Sequence, residues 1–163
     1  MVDQIRGVLA LELGDCGGAL ESSRSGLSVA MSIRSSLTGG QCATCIVNAL
    51  LMDADSEPTV EVIEMLALIR DTRNLSQLSF ACEPVADYIA RRGALETASV
   101  IAGVLRRHAP FGSFGARQRA ETLELVANLS NVDTLMARGA AMSPTEAIDF
   151  AIEHVEQLIH AEG

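Results

Sequence analysis

The feature that most constrains this chain is a glycine turn feeding an apolar helix, Arg91-Arg92-Gly93-Ala94-Leu95-Glu96-Thr97-Ala98-Ser99-Val100-Ile101-Ala102-Gly103-Val104-Leu105. Ala98, Ile101, Ala102 and Leu105 recur at steps of three and four, which puts them on one face of an α-helix. Gly93 stands where the preceding helix must end, a position that needs a left-handed backbone and therefore favours glycine. The same entrance occurs early in the chain. Gly14-Asp15-Cys16-Gly17-Gly18-Ala19-Leu20 again has glycine at the turn, alanine five residues on and an apolar stripe behind it, and small residues, Gly7 and Ala86, stand seven before the two turn glycines. Small side chains let the two helices of a hairpin approach closely. A single hairpin cannot bury its own apolar face, so a chain that repeats the device must stack its hairpins.

Helical spacing accounts for the remainder, and no segment has the alternation of a half-buried strand. The first helix is expected over Val2 to Leu13, with Ile5, Val8, Leu9, Ala10 and Leu13 as its inward stripe. The second carries Ala19, Leu20, Leu27, Ala30, Met31 and Ile33, with Gly26 at a close helix contact. Leu37-Thr38-Gly39-Gly40 reads as a loop, after which the third helix runs from Cys42 to Asp53. A fourth spans Thr59 to Arg70, a fifth Leu75 to Arg92 with Pro84 inside it, and the sixth is Ala94 to His108. Ala109 to Gly115, which holds Phe111 and Phe114, is a non-helical connection. A seventh helix covers Ala116 to Leu129, with Ala120, Leu123, Val126 and Ala127 inward, and a short eighth from Val132 to Arg138 leads into Gly139. Ser143-Pro144-Thr145-Glu146 begins the last helix with a capping box and proline at the first helical position. Ile148, Ile152, Val155 and Ile159 then share one face of it, and Asp149, Glu153 and Glu156 lie toward water. The whole, residues 1–163, is expected as one all-α domain of about nine helices arranged as antiparallel hairpins.

Apolar residues make up 48% of the chain and aromatics only 3%, so the core must be assembled from Ala, Leu, Val, Ile and Met. No apolar run approaches the roughly 20 residues a membrane span needs. Asp3, Glu12, Asp15 and Glu21 occupy the stretch where a signal peptide would be basic and then uncharged, so the expectation is a cytoplasmic protein. A formal charge of −9 opposes nucleic-acid binding by this chain. All 12 basic residues are Arg. Arg91, Arg92, Arg106, Arg107, Arg117 and Arg119 cluster in sequence, either as an anion-binding patch or as solvated helix ends, where cations are favoured.

Chemistry finds few starting points. Cys42-Ala43-Thr44-Cys45 places two thiols one helical turn apart near an expected helix start, the setting in which a thiol pKa falls. The helical alkylhydroperoxidase-like proteins use such a pair with a histidine four residues after the second cysteine, where this chain has Ala49. Cys16 and Cys82 add no second pair for zinc, and His108, His154 and His160 lack a metal-ligand spacing. Asp53-Ala54-Asp55-Ser56-Glu57-Pro58 lacks the central Gly and distal Glu of a calcium loop and reads as a solvated turn. There is no GxSxG elbow, SxxK pair or GxxxxGK[ST] loop. No cofactor or metal site is expected, nor is an enzyme. The alternative is a small thiol-dependent redox enzyme using Cys42 and Cys45.

The paired glycine turns resemble tetratricopeptide-type repeats, without that motif's large aromatic positions. Asp87-Tyr88-Ile89-Ala90-Arg91-Arg92-Gly93-Ala94-Leu95-Glu96-Thr97-Ala98-Ser99-Val100-Ile101-Ala102-Gly103-Val104-Leu105-Arg106, with Ala116-Arg117-Gln118-Arg119 and Ala137-Arg138-Gly139-Ala140-Ala141-Met142-Ser143-Pro144-Thr145-Glu146-Ala147-Ile148, is similar to the helical C-terminal region of LuxR/MalT-type bacterial ATP-dependent transcriptional regulators. That group includes adenylate-cyclase-linked relatives. The similarity covers residues 80 to 155, and the first 80 share only the repeat character. It implies a right-handed superhelix of stacked hairpins, a piece of a larger regulator whose ATPase and helix-turn-helix domains lie elsewhere. Its role would be protein interaction or ligand sensing. The implied partners are a protein or the parent's other domains and a small-molecule effector, with the acidic final helix available as a cap or homodimer contact. In the resembling repeats the first helix of a hairpin lines the concave surface, which implies Glu83 and Asp87 as partner contacts.

Overall fold

The computed structural model describes residues 2–53, 56–72, 77–108 and 116–161. Among these it forms nine helices and no strand: α1 (Val2–Glu12), α2 (Cys16–Ser32), α3 (Ser36–Leu51), α4 (Thr59–Thr72), α5 (Leu78–Arg91), α6 (Leu95–His108), α7 (Ala116–Val126), α8 (Val132–Ala141) and α9 (Pro144–Ala161). The connection 109–115 with its two phenylalanines lies outside the described residues, as do Ala54 and Asp55 of the acidic turn. No described helix is long and apolar enough to cross a membrane. The chain divides into two compact units, Met1–Gln77 and Leu78–Gly163.

In the first unit α1 and α2 form a hairpin that packs on α3, and α4 packs on α3. The contact between α1 and α2 is made by small residues. Gly7 is the buried residue of α1, and a Cβ there would collide with the Ser23 hydroxyl. Ala19, Ser23, Gly26 and Ala30 form the buried stripe of α2. A Cβ at Gly26 would lie 2.9 Å from the Cys42 sulfur and 3.3 Å from the Gln4 backbone nitrogen, so this glycine sits where three helices meet. The expected inward stripe of α1 is therefore turned about: Ile5, Leu9 and Leu13 are 50%, 56% and 83% exposed. Close approach of two backbones puts the glycine face inside and leaves the bulky face out. Met31 and Ile33 are likewise exposed.

The loop expected at Leu37–Gly40 is helix. α3 begins at Ser36, and Gly39 and Gly40 are buried in its first turns. At Gly40 the missing side chain is used for contact, since a Cβ there would run into the Gln77 carboxamide, whose Nε2 donates to the Leu37 carbonyl at 2.5 Å; a Cβ at Gly39 would stand 3.6 Å from Leu68 Cδ2, an ordinary packing distance. From Cys42 to Ala49 every residue of α3 is buried, which suits the near-continuous apolar run there.

The second unit is organised by α5 and α6, joined at Gly93, with α7 and α9 against both and α8 against α6. Ala98, Ile101, Ala102 and Leu105 are buried as the spacing requires. Helix α5 runs through Pro84, which has no N–H to give to the carbonyl one turn back. Among the described side chains of α7, Thr122 and Val126 are inward; Ala120, Leu123 and Ala127, expected inward, are exposed. The α9 cap forms reciprocally, with Ser143 N–H donating to Glu146 Oε2 at 2.7 Å and Glu146 N–H donating to Ser143 Oγ at 3.3 Å. Ile148 and Val155 are buried with Ala147 and Ala151, while Ile159 is exposed.

The turns share one construction. At Gly14 (φ 75°) the turn glycine donates to Leu11 O and Asp15 to Ala10 O; at Gly93 (φ 81°) the glycine donates to Ala90 O and Ala94 to Ile89 O. Both are Schellman caps, with bonds spanning three and five residues. A third stands between α2 and α3, where Arg34 (φ 55°) donates to Met31 O and Ser35 to Ala30 O.

Arg-Gly-Ala occurs twice, at residues 92–94 and 138–140, with different roles. Gly93 ends a helix; Gly139 does not, since α8 continues to Ala141. A Cβ at Gly139 would collide with the Val100 carbonyl, and one at Gly103 with the Met136 carbonyl. Helices α6 and α8 thus cross backbone to backbone through two reciprocal glycine contacts, the setting for Cα–H···O=C bonds. Arg107 Nη1 adds a hydrogen bond to the Ala140 carbonyl at 2.7 Å.

Candidate functional site

The two cysteines of the Cys42-Ala43-Thr44-Cys45 run lie within the body of α3, because the helix starts at Ser36. They are therefore not beside free amide donors at its N-terminus. Both are buried. Burial pushes the Cys42 thiol up, with a further upward push from Asp3. It takes the Cys45 thiol up to about 11, with the nearby Ser23 hydroxyl only partly offsetting the effect. Cys82 is raised to about 12 by burial and by the neighbouring Glu83. A thiolate nucleophile needs the opposite shift, so the surroundings of Cys42 and Cys45 work against thiol exchange.

Glu83 and Asp87, implied as partner contacts, are 2% and 1% exposed on α5. Asp87 Oδ2 is 2.8 Å from Arg91 Nη2, an ion pair across one helical turn. These carboxylates act inside the fold in this conformation and do not present an acidic surface.

Three arginines of the cluster are engaged within the fold, and Arg106 is exposed on α6. Arg91 pairs with Asp87, Arg92 stands 5.9 Å over the Tyr88 ring and Arg107 caps the end of α8. The side chains of Arg117 and Arg119 lie outside the described residues, as does that of His108. His154 and His160 are both on α9, and among the described residues no group of three or more His, Cys, Asp or Glu is placed to hold a metal ion.

A surface cleft forms between the end of α8 and the first half of α9, with a volume of about 460 Å³. Phe150 is its aromatic wall. The Arg138 guanidinium stands 5.3 Å from the centre of that ring, within cation–π range. The His154 ring packs against Phe150 at 4.0 Å between centres, tilted by 36°, and its Nδ1 lies 2.8 Å from the Phe150 carbonyl, so that nitrogen carries the hydrogen. Glu146, Asp149 and Glu153 follow at steps of three and four and so share a face of α9 along the cleft. The Ser143 hydroxyl and backbone N–H hold the Glu146 carboxyl below the ordinary range, keeping it ionised. The lining thus carries three carboxylates and one guanidinium beside an aromatic face, with Glu146 engaged by Ser143 and Glu153 accepting from Gln157 Nε2 at 3.3 Å.

Sequence reasoning placed Asp149 and Glu153 on the solvent side of α9 and assigned them nothing. The available signal was the spacing Glu146, Asp149, Glu153 around Phe150; the approach of Arg138 depends on how α8 is held and has no sequence signature. The chain matches no family model, no curated protein and no solved structure.

Proposed function

We propose that this chain is a non-catalytic helical-hairpin module that binds a protein partner or senses a small molecule, its hairpins stacked in the tetratricopeptide manner. In this reading it is the sensing or interaction part of a bacterial transcriptional regulator of the LuxR/MalT kind. The observation that carries the reading is the recurrence of one hairpin device: Gly14 and Gly93 close their helices with the same pair of backbone bonds, and each is followed by a helix that folds back on the one before. Repetition of a structural unit is how solenoid modules build binding surfaces. The burial of the cysteine pair also favours a binding role over a thiol enzyme.

The test uses the complete native reading frame, with a reporter promoter. A frame that encodes an ATPase and a helix-turn-helix domain, and whose transcriptional response is lost on deleting residues 1–163 while DNA binding persists, is the expected result. A frame with neither domain rejects the regulator role.

A further inference from the structure

Exposed apolar surface is concentrated at the start of the chain. Eight of the thirteen large apolar side chains exposed among the described residues fall in residues 2–37, which is not the single scatter that a surface normally carries. On α1 the exposed Val2, Ile5, Leu9 and Leu13 fall within about 80° of one another around the helix, at 100° per residue. The end of α2 extends this surface. The Ser25 hydroxyl donates to Asp3 Oδ2 at 3.1 Å, which sets Ser25 at the first turn of α1. Val29 and the C-cap residue Ile33 follow Ser25 at steps of four and are also exposed.

We propose that this face of the first hairpin is covered by the same face of a second copy of the chain, with the two α1 helices antiparallel. The stripe is close to its own reverse: Ile5 and Leu9 stand two residues either side of Gly7, and Val2 and Leu13 five and six. A two-fold axis beside Gly7 therefore sets Ile5 against the partner's Leu9 and Val2 against the partner's Leu13, the self-complementarity an isologous contact requires. The area is sufficient. A fully exposed aliphatic side chain offers about 100 Å² of apolar surface, so these six, at 49% to 83% exposure, offer roughly 350 Å² per chain. Homodimer interfaces are about 65% apolar, so two copies correspond to about 1,100 Å² in all, above the roughly 1,000 Å² that a specific interface needs. Charge permits the pairing. Arg6, beside the stripe, has Asp3 of its own chain at 3.5 Å, and the two Glu12 residues fall about 15 Å apart along such a pair. The outer face of α9, by contrast, carries exposed Asp149, Glu153 and Glu156 and would set acid against acid. The inference stands on the surface of α1 and α2 and needs no part of the regulator reading.

The experiment is analytical ultracentrifugation of the full 163-residue chain from about 1 μM to about 1 mM. The expected result is a monomer–dimer equilibrium with a dissociation constant of about 1–100 μM, as suits an interface at the small end of the specific range. Each chain carries a formal charge of −9, so raising the salt concentration should leave the dimer unchanged or tighten it. Ile5→Glu and Leu9→Glu each place two carboxylates in the apolar contact, one from each copy, and should weaken association by at least about a hundredfold. Both positions are exposed in the single chain, so the helical circular dichroism and the urea midpoint should stay close to those of the parent. Should either variant fail to fold, Leu13→Ser, at the most exposed position of the stripe, reads the same contact and should weaken association by about tenfold. Val60→Glu is the control: Val60 is 62% exposed on α4, away from the stripe, and this variant should dimerise as the parent does. A chain that stays monomeric at about 1 mM overturns the proposal, as does a dimer that persists unchanged in the folded glutamate variants, or one that Val60→Glu dissociates as fully as Leu9→Glu. Association is measured without a promoter or a partner protein, so its failure and that of the regulator role are read separately.

Discussion

Replacing Gly103 by alanine sets two effects of one substitution against each other. In an exposed helix interior Gly→Ala stabilises by about 1 kcal/mol, because alanine loses less backbone entropy on folding. At Gly103 the new methyl would stand inside contact distance of the Met136 carbonyl, which is backbone and cannot rotate away. Helices α6 and α8 must then separate. Overpacking against movable side chains costs about 1–3 kcal/mol, and a rigid wall puts this site at the upper end. Separation also loosens the reciprocal contact of Gly139 with Val100, and each lost Cα–H···O bond is worth about 0.5–1 kcal/mol. The net expectation is destabilisation by about 2–4 kcal/mol, a large share of the roughly 5–15 kcal/mol of a typical domain. Urea unfolding measures it, and the fluorescence of Tyr88 is a selective probe, since this buried residue of α5 is the one tyrosine and the chain has no tryptophan. The midpoint should fall with little change in slope. Gly139→Ala should behave similarly, and the double variant should lose less than the two single losses added together, because the helices need part only once. Gly17→Ala is the control: the nearest neighbour of its Cβ would be Asp15 Oδ1 at 3.7 Å, so it should be neutral or stabilise by up to about 1 kcal/mol. A Gly103→Ala variant as stable as the parent would refute the backbone-to-backbone crossing.

Other expectations follow from the caps and the thiols. Arg34→Gly should stabilise by about 1 kcal/mol and Gly93→Ala destabilise by about the same, since both positions are left-handed; thermal or urea midpoints that move the other way would contradict the cap geometry. With a disulfide reagent at pH 8, Cys16, which is part-exposed, should react first and Cys42, Cys45 and Cys82 only on unfolding; two rapid thiols in α3 would revive the redox reading. Ser143→Ala should cost about 1 kcal/mol at neutral pH. The Glu146 pKa is lowered by folding, so its contribution is present above the ordinary carboxylate pKa and is lost as pH falls through the lowered value. Urea midpoints of the parent and Glu146→Gln should therefore converge in acid, and a constant gap would count against the capping box.

Helix number and the turn glycines were legible because period and left-handed backbone leave marks on residue type. What was not legible is which face of a helix is inward when small and large residues compete. Ile5, Leu9 and Leu13 form a stripe that reads as buried, yet Gly7 on the other side meets Ser23, because the shorter helix separation it permits decides the packing. Gly39-Gly40 read as a loop for the same reason: composition alone does not separate a glycine that bends the chain from one that admits a neighbour. The cleft was half legible. Its carboxylates follow helical spacing, but the approach of Arg138 to Phe150 depends on how α8 and α9 are set relative to each other, which leaves no mark on the sequence.

The crossing of α6 and α8 reaches further than stability. Arg138 immediately precedes Gly139, so the backbone contact that lodges Gly139 against Val100 also indexes the origin of the Arg138 side chain. Side-chain repacking elsewhere in the unit can adjust torsions of the guanidinium but not the point from which it extends. The spacing between the cleft's cation and its aromatic wall is therefore gauged by a residue with no side chain, one that any bound molecule would never touch.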